Sequence, residues 1–341
     1  MPKPFDFYEK FQIPTNRSDP LSRFEQELIL SIFPQGVQIS KAAPARDWGF
    51  YPIRVWVQTN NGEQVVFLRK DAKIGGVELE AALLPVLAKL GLPVPQLLAG
   101  PALDPASDDA VPVTVLSTLP GESLLDFSWE AKGNNLYIPI HLVLAGVARL
   151  HAVTSALQQE PIARRIPVKT LMGEWQGIES RGGAWLEVAE FRQALTWLEK
   201  VLPGLERPLA FSNGDYNPGN FLFSIKAETT NEEVNHSIGN PGSLTRLPHQ
   251  LSGFVDFSWA CFEDPHIGFA KYWTYDWFPA GLVERYCWLN QITVKEFAPR
   301  LALRALWTLQ REVEPPHSDP QPSWYRDNLL GLLENAIALC V

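Results

Sequence analysis

The stretch "SNGDYNPGNFLF", residues 212–223, decides how the fold is interpreted. It places polar, turn-forming residues directly before a strand-like apolar tail, and it holds Asp215 and Asn220 five positions apart. An aspartate on such a loop can orient a hydroxyl group and accept its proton, and an asparagine five residues later can ligate Mg²⁺. Turn loops without chemistry are also rich in both residue types. The interpretation therefore depends on further features that occur in order along the chain.

A magnesium ion on a triphosphate prefers hard oxygen ligands, so this chemistry needs a second carboxylate near Asn220. Asp256, in "SGFVDFSWA" (252–260), is the candidate because it directly follows an apolar run. An aspartate in that place is otherwise a common turn residue. If the two segments form a hairpin, Asn220 and Asp256 come together, and residues 226–250 form its long tip. The Asn, Ser, Thr and Gly content of that tip predicts a mobile excursion that tolerates deletion.

The composition suits a folded protein with a large core. The chain has 341 residues, of which 46% are hydrophobic and 20% are charged, and its length favours two domains or lobes. Its net charge of −9 argues against nucleic acid and anionic membranes as partners. The same charge favours the attraction of cationic small molecules. The composition does not indicate an oligomeric state.

Targeting and redox features favour a cytoplasmic location. The first residues, "MPKPFDFYEKF", have no apolar core of the kind that a signal peptide needs. The longest apolar stretch, 136–150, is interrupted by Pro139, His141 and Arg149, and it is too short and too polar to span a bilayer. Three cysteines without metal-ligand spacing indicate a reducing environment: Cys261, Cys287 and Cys340.

The pattern up to about residue 119 predicts a small sheet with one or two helices. "IRVWVQT" and "EQVVFLRK", at 53–59 and 63–70, are β-rich runs joined across "NNG", which is a strong hairpin signal. A helix is predicted from about Gly76 to Leu90, and another strand at 111–119. Beyond that strand the periodicity is mainly helical.

Several stretches together resemble the aminoglycoside phosphotransferase family, whose members are relatives of the protein kinases. "NGDYNPGNFLF" and "GFVDFSWACFEDP" are similar to its His-Gly-Asp-x-x-x-x-Asn loop, its apolar strand ending in Asp, and its Gly-Asp-Pro-like turn. "VVFLRK" resembles its third strand, and "ELEAALLPVLAKLGLPVPQLL" resembles its Glu-bearing helix with the Pro-x-Pro segment that follows. "LAGVARLHA" resembles the helix that precedes the loop. The similarity covers roughly residues 45–275, in the same order.

The resemblance implies a bilobal, protein-kinase-like α+β fold. A small mixed N-lobe with an antiparallel sheet is expected at 1–116, a hinge at 117–121, and a larger, mainly helical C-lobe at 122–341. By the same resemblance, the backbone of the hinge hydrogen-bonds the adenine of ATP. Ser117 and Leu119 are the hinge residues assigned to this contact.

The resemblance also implies the roles of the polar residues. Asp215 is expected to be the catalytic aspartate, and Asn220 and Asp256 the Mg²⁺ ligands. Arg69 is expected to contact the nucleotide phosphates, with Glu80 as its ion-pair partner. Strand alternation turns only one of Arg69 and its neighbour Lys70 toward the cleft, and the register of the family favours Arg69.

Each of these assignments has a structural alternative. Exposed arginines commonly end strands, and a helix-surface glutamate such as Glu80 is usually just solvated. His151 and His266 are interpreted as packed structural residues rather than as catalytic bases.

The implied activity is ATP- and Mg²⁺-dependent transfer of a γ-phosphoryl group to a hydroxyl group of a small molecule. Amino-sugars and amino alcohols are acceptor classes of this general fold, which does not itself choose among substrates. The C-terminal region is rich in aromatic residues, and most of them are interpreted as helix core. A cationic acceptor would also suit aromatic faces near the acids Asp276, Glu312 and Glu314.

The sequence departs from the family pattern in three places, and the first two keep a second interpretation open. The usual histidine before Gly-Asp is Asn213 here, and a later aspartate is Gly268. Between residues 43 and 53 only Gly49 is available for a loop over the phosphates. The alternative is a catalytically silent, kinase-like protein that binds a nucleotide or metabolite. The retained Asp215, Asn220 and Asp256 favour the enzyme.

Overall fold

The computed structural model describes residues 21–45, 52–70, 76–105, 112–125, 137–225, 249–274, 282–313 and 323–340. The chain divides into two compact units. The first comprises residues 1–166 and 213–260, and the second comprises 167–212 and 261–341. The lobe and hinge boundaries expected from the sequence remain a prediction.

The first unit contains a five-stranded antiparallel sheet. Its strands are β1 (Gln38–Pro44), β2 (Ile53–Thr59), β3 (Gly62–Lys70), β4 (Leu97–Ala102) and β5 (Val113–Ser117), in the order β1-β2-β3-β5-β4. The predicted β2–β3 hairpin is confirmed, with Thr59 paired to Gly62 at its turn. Gly62 has a φ of 110°, a conformation that glycine adopts without steric cost.

The two faces of this sheet have different tasks because alternate residues of a strand point to opposite sides. Ile53, Val55 and Val57 of β2 are fully buried in a core that helix α1 (Arg23–Leu30) helps to form through Ile29. The residues between them lie on the other face. That second face lines the cleft described below.

Helix α2 (Gly76–Lys89) follows the predicted range and continues through Pro85. Its buried residues include Leu83, Leu84 and Leu87, and among them lies one charged side chain, Glu80. A glutamate is almost never fully buried without a partner, so its position on this apolar face needs an explanation.

A second sheet of the first unit carries the hairpin predicted from the motif. Strands β9 (Phe221–Ile225) and β10 (His249–Phe254) pair antiparallel, and β6 (Glu122–Ser123) adds to β9. The pairing of the two motif segments is thus confirmed. Most of the expected tip, 226–248, lies outside the described residues. Helix α3 (Tyr137–Ala152) contacts this hairpin, and the short helix α4 (Thr154–Leu157) follows it.

The second unit is mainly helical. Its helices are α5 (Leu171–Arg181), α6 (Ala189–Val201), α7 (Ile267–Thr274), α8 (Leu282–Leu289), α9 (Val294–Glu312) and α10 (Ser323–Ala338). The unit also contains a three-stranded sheet, whose strands in spatial order are β7 (Val168–Lys169), β11 (Cys261–Glu263) and β8 (Ala210–Ser212). Among the helices that the structure describes, none has the length and apolar character that a membrane span requires.

Candidate active site

The motif loop begins at a glycine that accepts no other residue. Gly214 has a φ of 79°, and a Cβ added there would lie 1.8 Å from the carbonyl oxygen of Trp259. Since Trp259 lies three residues beyond Asp256, this close approach holds the start of the loop against the segment that follows β10. The glycine of the motif is therefore a packing requirement as well as a turn residue.

Asp215 is fixed by hydrogen bonds to its main chain and its carboxylate. The side-chain amides of Asn213 and Asn220 both donate to the Asp215 carbonyl oxygen, each at 3.0 Å. The Asp215 carboxylate accepts a hydrogen bond from the main-chain N–H of Asn217 at 3.1 Å. The structure thus brings Asp215 and Asn220 together, as their spacing suggested, through the backbone of the aspartate.

Asp256 lies beside Asn220 at the end of β10. The amide of Val255 donates to the carbonyl oxygen of Asn220 at 3.0 Å, so the next residue begins where the two strands separate. Asp256 itself has a φ of 66°, a left-handed conformation that Asp and Asn tolerate better than most residues. This turn ends the strand and presents the carboxylate at the cleft, where Asp256 is one of the lining residues.

Arg69 joins this site to the larger sheet. Its Nε lies 2.6 Å from Oε2 of Glu80, and its Nη2 forms an ion pair with Oδ1 of Asp256. The other oxygen of Glu80 accepts a hydrogen bond from the amide of Phe257 at 2.8 Å. The side chain of Glu80 is only 3% exposed, and these partners explain how its charge is tolerated there. The expected pairing of Arg69 with Glu80 is present, while their role toward a nucleotide stays a prediction.

Ser258 completes the arrangement and was not predicted from the sequence. Its hydroxyl donates to Oδ1 of Asp256 at 2.9 Å and accepts from Nη2 of Arg69 at 3.2 Å. A serine two residues after a turn aspartate is a common side-chain hydrogen-bonding pattern, and that spacing was the only available signal.

The charges of the site are unequal. Arg69 carries one positive charge, and Glu80, Asp256 and Asp215 carry one negative charge each, which sums to −2 for these four side chains. A site with this balance attracts a cation. The amide oxygen of Asn220 and the carboxylate of Asp256 are the hard oxygen ligands that Mg²⁺ prefers.

A metal here would need ligands from outside the protein. Within the ranges that the structure describes, no group of three or more His, Cys, Asp or Glu side chains could hold a metal ion. Mg²⁺ in nucleotide sites typically takes one or two protein oxygens, with the remaining positions filled by phosphate and water. The donor set of Asn220 and Asp256 fits that mode of binding rather than a self-contained metal centre.

The expected hinge lies along the same cleft. The amide of Ser117 donates to the carbonyl oxygen of Gln96, and its hydroxyl accepts from the amide of Gln96, both at 2.9 Å. These two groups of Ser117 are therefore used within the protein. Leu119 packs over Gly253, where a Cβ would lie 2.6 Å from its side chain. The assignment of both residues to adenine stays a prediction.

The cleft has a volume of about 2150 Å³ and lies within the first unit. Typical small-molecule sites have roughly 300–1,000 Å³, so it has room for a nucleotide and a second substrate. Asp215, Asn220, Asp256 and Arg69 all line it, as do both hinge residues. The structure therefore brings the following predicted residues to one cleft: Arg69, Glu80, Ser117, Leu119, Asp215, Asn220 and Asp256.

Two aromatic residues of the sheet also line the cleft and were not predicted. Trp56 and Phe67 lie on the face opposite the core, and the guanidinium of Arg54 lies 5.7 Å and 5.5 Å from their ring centres. Their signal in the sequence was the strand alternation, which puts Phe67 on the same face as Arg69.

The two histidines have structural partners. Nε2 of His151 lies 3.0 Å from the hydroxyl of Tyr216, the residue after Asp215. Nδ1 of His266 lies 2.9 Å from the hydroxyl of Tyr286, and burial lowers the pKa of His266 to about 4. In the second unit, the ring of Tyr286 stacks on Phe269 with a centroid distance of 4.2 Å. These aromatic residues form helix core, as expected.

Some predicted features cannot be located. Gly49, Asp276 and Glu314 lie outside the described residues, and so does the side chain of Glu312. The loop over the phosphates and the acidic part of an acceptor wall therefore stay predictions from sequence.

The sequence matches one family model across more than half of its length. The model described as "Phosphotransferase enzyme family" matches residues 44–233. This range includes Arg69, Glu80, Asp215 and Asn220 and ends before Asp256. No curated protein sequence matches the chain.

Solved structures of aminoglycoside phosphotransferases have a similar fold. A mutant aminoglycoside 2′-phosphotransferase-IIIa bound to GDP has a TM-score of 0.58 and 17% identity, over 92% of this chain and 96% of that one. The APH(2″)-IIIa complex with GDP and kanamycin has a TM-score of 0.55 and 16% identity, over 92% and 98%. A thermostable APH(4)-Ia mutant with AMP-PNP and hygromycin B has a TM-score of 0.57 and 12% identity, over 91% and 97%. These structures confirm the predicted bilobal, kinase-like α+β fold.

Proposed function

Because the chain belongs to the phosphotransferase enzyme family, we propose that it transfers the γ-phosphoryl group of ATP to a hydroxyl group of a small molecule in the presence of Mg²⁺. The observation that carries this proposal is the joining of Arg69, Glu80 and Asp256 beside Asp215 and Asn220 at one cleft. Phosphoryl transfer depends mainly on positioning and on neutralising charge, and these residues are suited to both tasks.

Asp215 is the residue that acts on the acceptor. Its carboxylate orients the acceptor hydroxyl and accepts the hydroxyl proton as the oxygen attacks the γ-phosphorus. The bond from that phosphorus to the β–γ bridging oxygen breaks, and ADP leaves with the electron pair. The hydrogen bond from Asn217 keeps the carboxylate in one orientation before the acceptor binds.

Arg69 holds the phosphates from the sheet side. A guanidinium has five donors, so it can keep its bond to Glu80 and still turn donors toward phosphate oxygens. When bound, Mg²⁺ would neutralise charge on the transferred group, and Asn220 and Asp256 would hold it. The adenine ring of ATP would lie under Phe67 and near Leu119, on the cleft-facing side of the sheet.

A cationic acceptor, such as an amino-sugar or amino alcohol, fits the electrostatics. The chain carries a net charge of −9, and the four charged side chains of the site sum to −2. Two of the similar solved structures hold kanamycin and hygromycin B, which supports this acceptor class without naming the acceptor of this chain. We also propose a cytoplasmic location, where ATP is available. The buried thiols of Cys261 and Cys287, whose pKa values burial raises, suit that reducing environment.

A second candidate is a catalytically silent protein that binds a nucleotide or metabolite. The observation that favours it is Asn213, which stands where the family has a histidine. The intact set of Asp215, Asn220 and Asp256 favours the enzyme instead, since a silent binder has no use for a proton acceptor directed at a hydroxyl.

The two candidates differ in an acceptor screen. ATP and GTP consumption is measured with and without Mg²⁺ against a panel of amino-sugars, amino alcohols and neutral sugars, with Asp215→Asn as the control. We expect Mg²⁺-dependent consumption that requires one class of amine-bearing alcohol and is lost in the variant. Nucleotide binding without consumption for any acceptor would reject the enzyme in favour of the silent binder.

A further inference from the structure

Asn213 uses its whole side chain to hold the residue that does the chemistry. Its side chain is fully buried, with no exposed surface. Its Nδ2 donates to the carbonyl oxygen of Asp215 at 3.0 Å, and its Oδ1 accepts from the amide of Asp215 at 3.3 Å. Both main-chain polar groups of Asp215 are thus bonded to one amide side chain two residues earlier.

The carbonyl of Asp215 is held from a second side as well. Nδ2 of Asn220 also donates to it, at 3.0 Å. A carbonyl oxygen has two lone pairs, so these two donors satisfy its acceptor capacity. The bond from Nδ2 also fixes the side chain of Asn220, whose remaining polar atom is the oxygen proposed to face the metal. One backbone carbonyl therefore sets the positions of both the catalytic carboxylate and a metal-binding oxygen.

The residue between Asn213 and Asp215 has no side chain with which to fix the loop. Gly214 loses more conformational freedom on folding than any other residue type would, and the contact with Trp259 rules out a Cβ at this position. The backbone at Gly214 cannot be stiffened by a side chain of its own. Trp259 limits the path of the main chain at Gly214, and the side chain of Asn213 then bonds both main-chain polar groups of Asp215.

We propose that Asn213 is a positioning residue for Asp215 and Asn220. Its side-chain amide keeps the loop in its active geometry in the absence of the family's histidine. This inference rests on the proposed function, because it assigns a purpose to the geometry of a loop that transfers phosphoryl groups. It also predicts a brace that does not depend on pH, since an amide does not titrate in the range where a histidine changes its charge.

The test uses the full chain and three variants. Asn213→Ala removes both bonds, whereas Asn213→His restores a side chain that can donate one hydrogen bond. The matched control is Asn290→Ala, which removes an asparagine that donates to the carbonyl of Tyr286 at 2.9 Å in the second unit. Each protein is measured for kcat, for KM of the acceptor, for nucleotide Kd by calorimetry, and for hydrogen exchange of the peptide spanning 214–220.

We expect Asn213→Ala to lower kcat by roughly 100-fold, the loss that a displacement of about 1 Å can cause. Nucleotide Kd measured without Mg²⁺ should stay within about threefold, because Asn213 is not assigned to the nucleotide and acts on the metal only through Asn220. Exchange in 214–220 should rise, since amides of this loop are hydrogen-bonded within it. Asn213→His should recover most of the loss in kcat and add a new ionisation to the pH profile, and Asn290→Ala should match the wild type.

The outcomes separate this inference from the proposed function. Unchanged exchange in Asn213→Ala would overturn the brace, whatever the turnover. Faster exchange with unchanged kcat would overturn the positioning role while leaving the phosphotransferase intact. A wild type that consumes no nucleotide with any acceptor would overturn the proposed function, and with it the catalytic purpose of the brace. If Asn213→Ala does not fold, Asn213→Ser is used with the same readouts.

Discussion

Arg69 lies between two carboxylates: its Nε is 2.6 Å from Glu80, and its Nη2 pairs with Asp256. This one guanidinium connects strand β3 and helix α2 to the end of strand β10. Glu80 also accepts a hydrogen bond from the main-chain N–H of Phe257, so helix α2 contacts the segment after β10 directly as well as through Arg69. A disturbance at any of these residues should therefore reach both the sheet and the metal-binding end of the cleft.

Glu80→Gln should weaken nucleotide binding by about tenfold. The substitution keeps an acceptor for Phe257 but removes the charge that orients Arg69 toward the phosphates. Losing a charge-assisted hydrogen bond should also lower the free energy of unfolding by about 1.5–3 kcal/mol. Calorimetric ATP titration and urea unfolding measure the two effects. The control is Glu78→Gln in the first turn of the same helix, which leaves the carboxylate of Glu80 and its bond to Arg69 in place. Equal ATP affinity in both variants would remove Glu80 from the nucleotide site.

Asp256→Asn should abolish the dependence of nucleotide binding on Mg²⁺. The metal loses its charged protein ligand, and affinity in the presence of Mg²⁺ should fall by at least about tenfold. Without Mg²⁺, the affinity should stay the same or rise, because Arg69 is released from one carboxylate. Asn220→Ala should show a smaller loss, since a neutral oxygen is removed. Titrations with Mg²⁺ and with chelator test this, and an unaltered response to Mg²⁺ in Asp256→Asn would reject the metal assignment.

The parts of the site that sequence predicted are those fixed by spacing and strand pattern. The β9–β10 hairpin follows from two apolar runs that bracket a polar segment, and it brings Asn220 to Asp256 by strand pairing alone. Local sequence determines such a hairpin because alternation and apolar runs extend over many residues. The pairing of Arg69 with Glu80 is instead what the resemblance to the aminoglycoside phosphotransferase family implied.

The parts that sequence missed depend on single backbone angles. Ser258 reaches Asp256 only because Asp256 adopts a φ of 66°, and Asn213 reaches Asp215 across Gly214 with its φ of 79°. Neither angle follows from the residue types alone. The hydrogen bonds between Ser117 and Gln96 were missed for a related reason. The β4–β5 pairing contains register shifts that the sequence pattern does not predict.

Breaking the buried ion pair of the second unit should cost more stability than breaking an exposed pair of similar geometry. Arg300 donates to both oxygens of Asp264 at 2.7 Å, and its remaining donors reach the carbonyl oxygens of Glu296 and Leu205. Arg300→Ala leaves Asp264 buried without its partner and should cost about 3–5 kcal/mol. The matched control is Arg207→Ala, whose exposed pair with Glu296 at 2.6 Å should cost less than about 1 kcal/mol. Urea unfolding measures both, and equal losses would contradict the assigned difference in burial.

His266 should make the stability of the protein depend on pH below neutrality. Burial lowers its pKa from 6.5 to about 4, with a smaller opposing effect from Asp264. The neutral form is thus favoured in the folded state, so its contribution is complete above pH 6.5 and is lost as the pH falls toward 4. The loss should be about 3 kcal/mol over that range.

His266→Asn isolates this effect from the other titrating groups. Asparagine keeps a polar atom near the hydroxyl of Tyr286 but does not titrate. From pH 7 to pH 4, the unfolding free energy of the wild type should fall by about 3 kcal/mol relative to that of the variant. Parallel stability curves for the two proteins would show that His266 has an ordinary pKa.

Asp215→Asn distinguishes the enzyme from the silent binder. The substitution keeps the oxygen that accepts from the amide of Asn217 at 3.1 Å, so the loop should keep its shape. It removes the proton acceptor, and general-base catalysis contributes on the order of 10²–10⁴ in rate. Because Asp215 is assigned neither to the phosphates nor to the metal, ATP affinity should change by less than about threefold, or about 0.7 kcal/mol.

Turnover with the acceptor found in the screen and calorimetric ATP titration are measured on the same preparations of Asp215→Asn. Asn217→Ala is the companion variant, because it leaves the Asp215 carboxylate and the main-chain N–H of residue 217 in place. It removes only the side-chain oxygen that accepts from the amide of Gly219 at 2.8 Å and so loosens the loop that orients the carboxylate. Its turnover should fall by less than that of Asp215→Asn. If Asp215→Asn turns over normally, Asp215 is not the base. If both variants lose ATP affinity in step with turnover, the loop acts on nucleotide binding rather than on the acceptor hydroxyl, and the proton would have to leave by a route that does not involve this carboxylate.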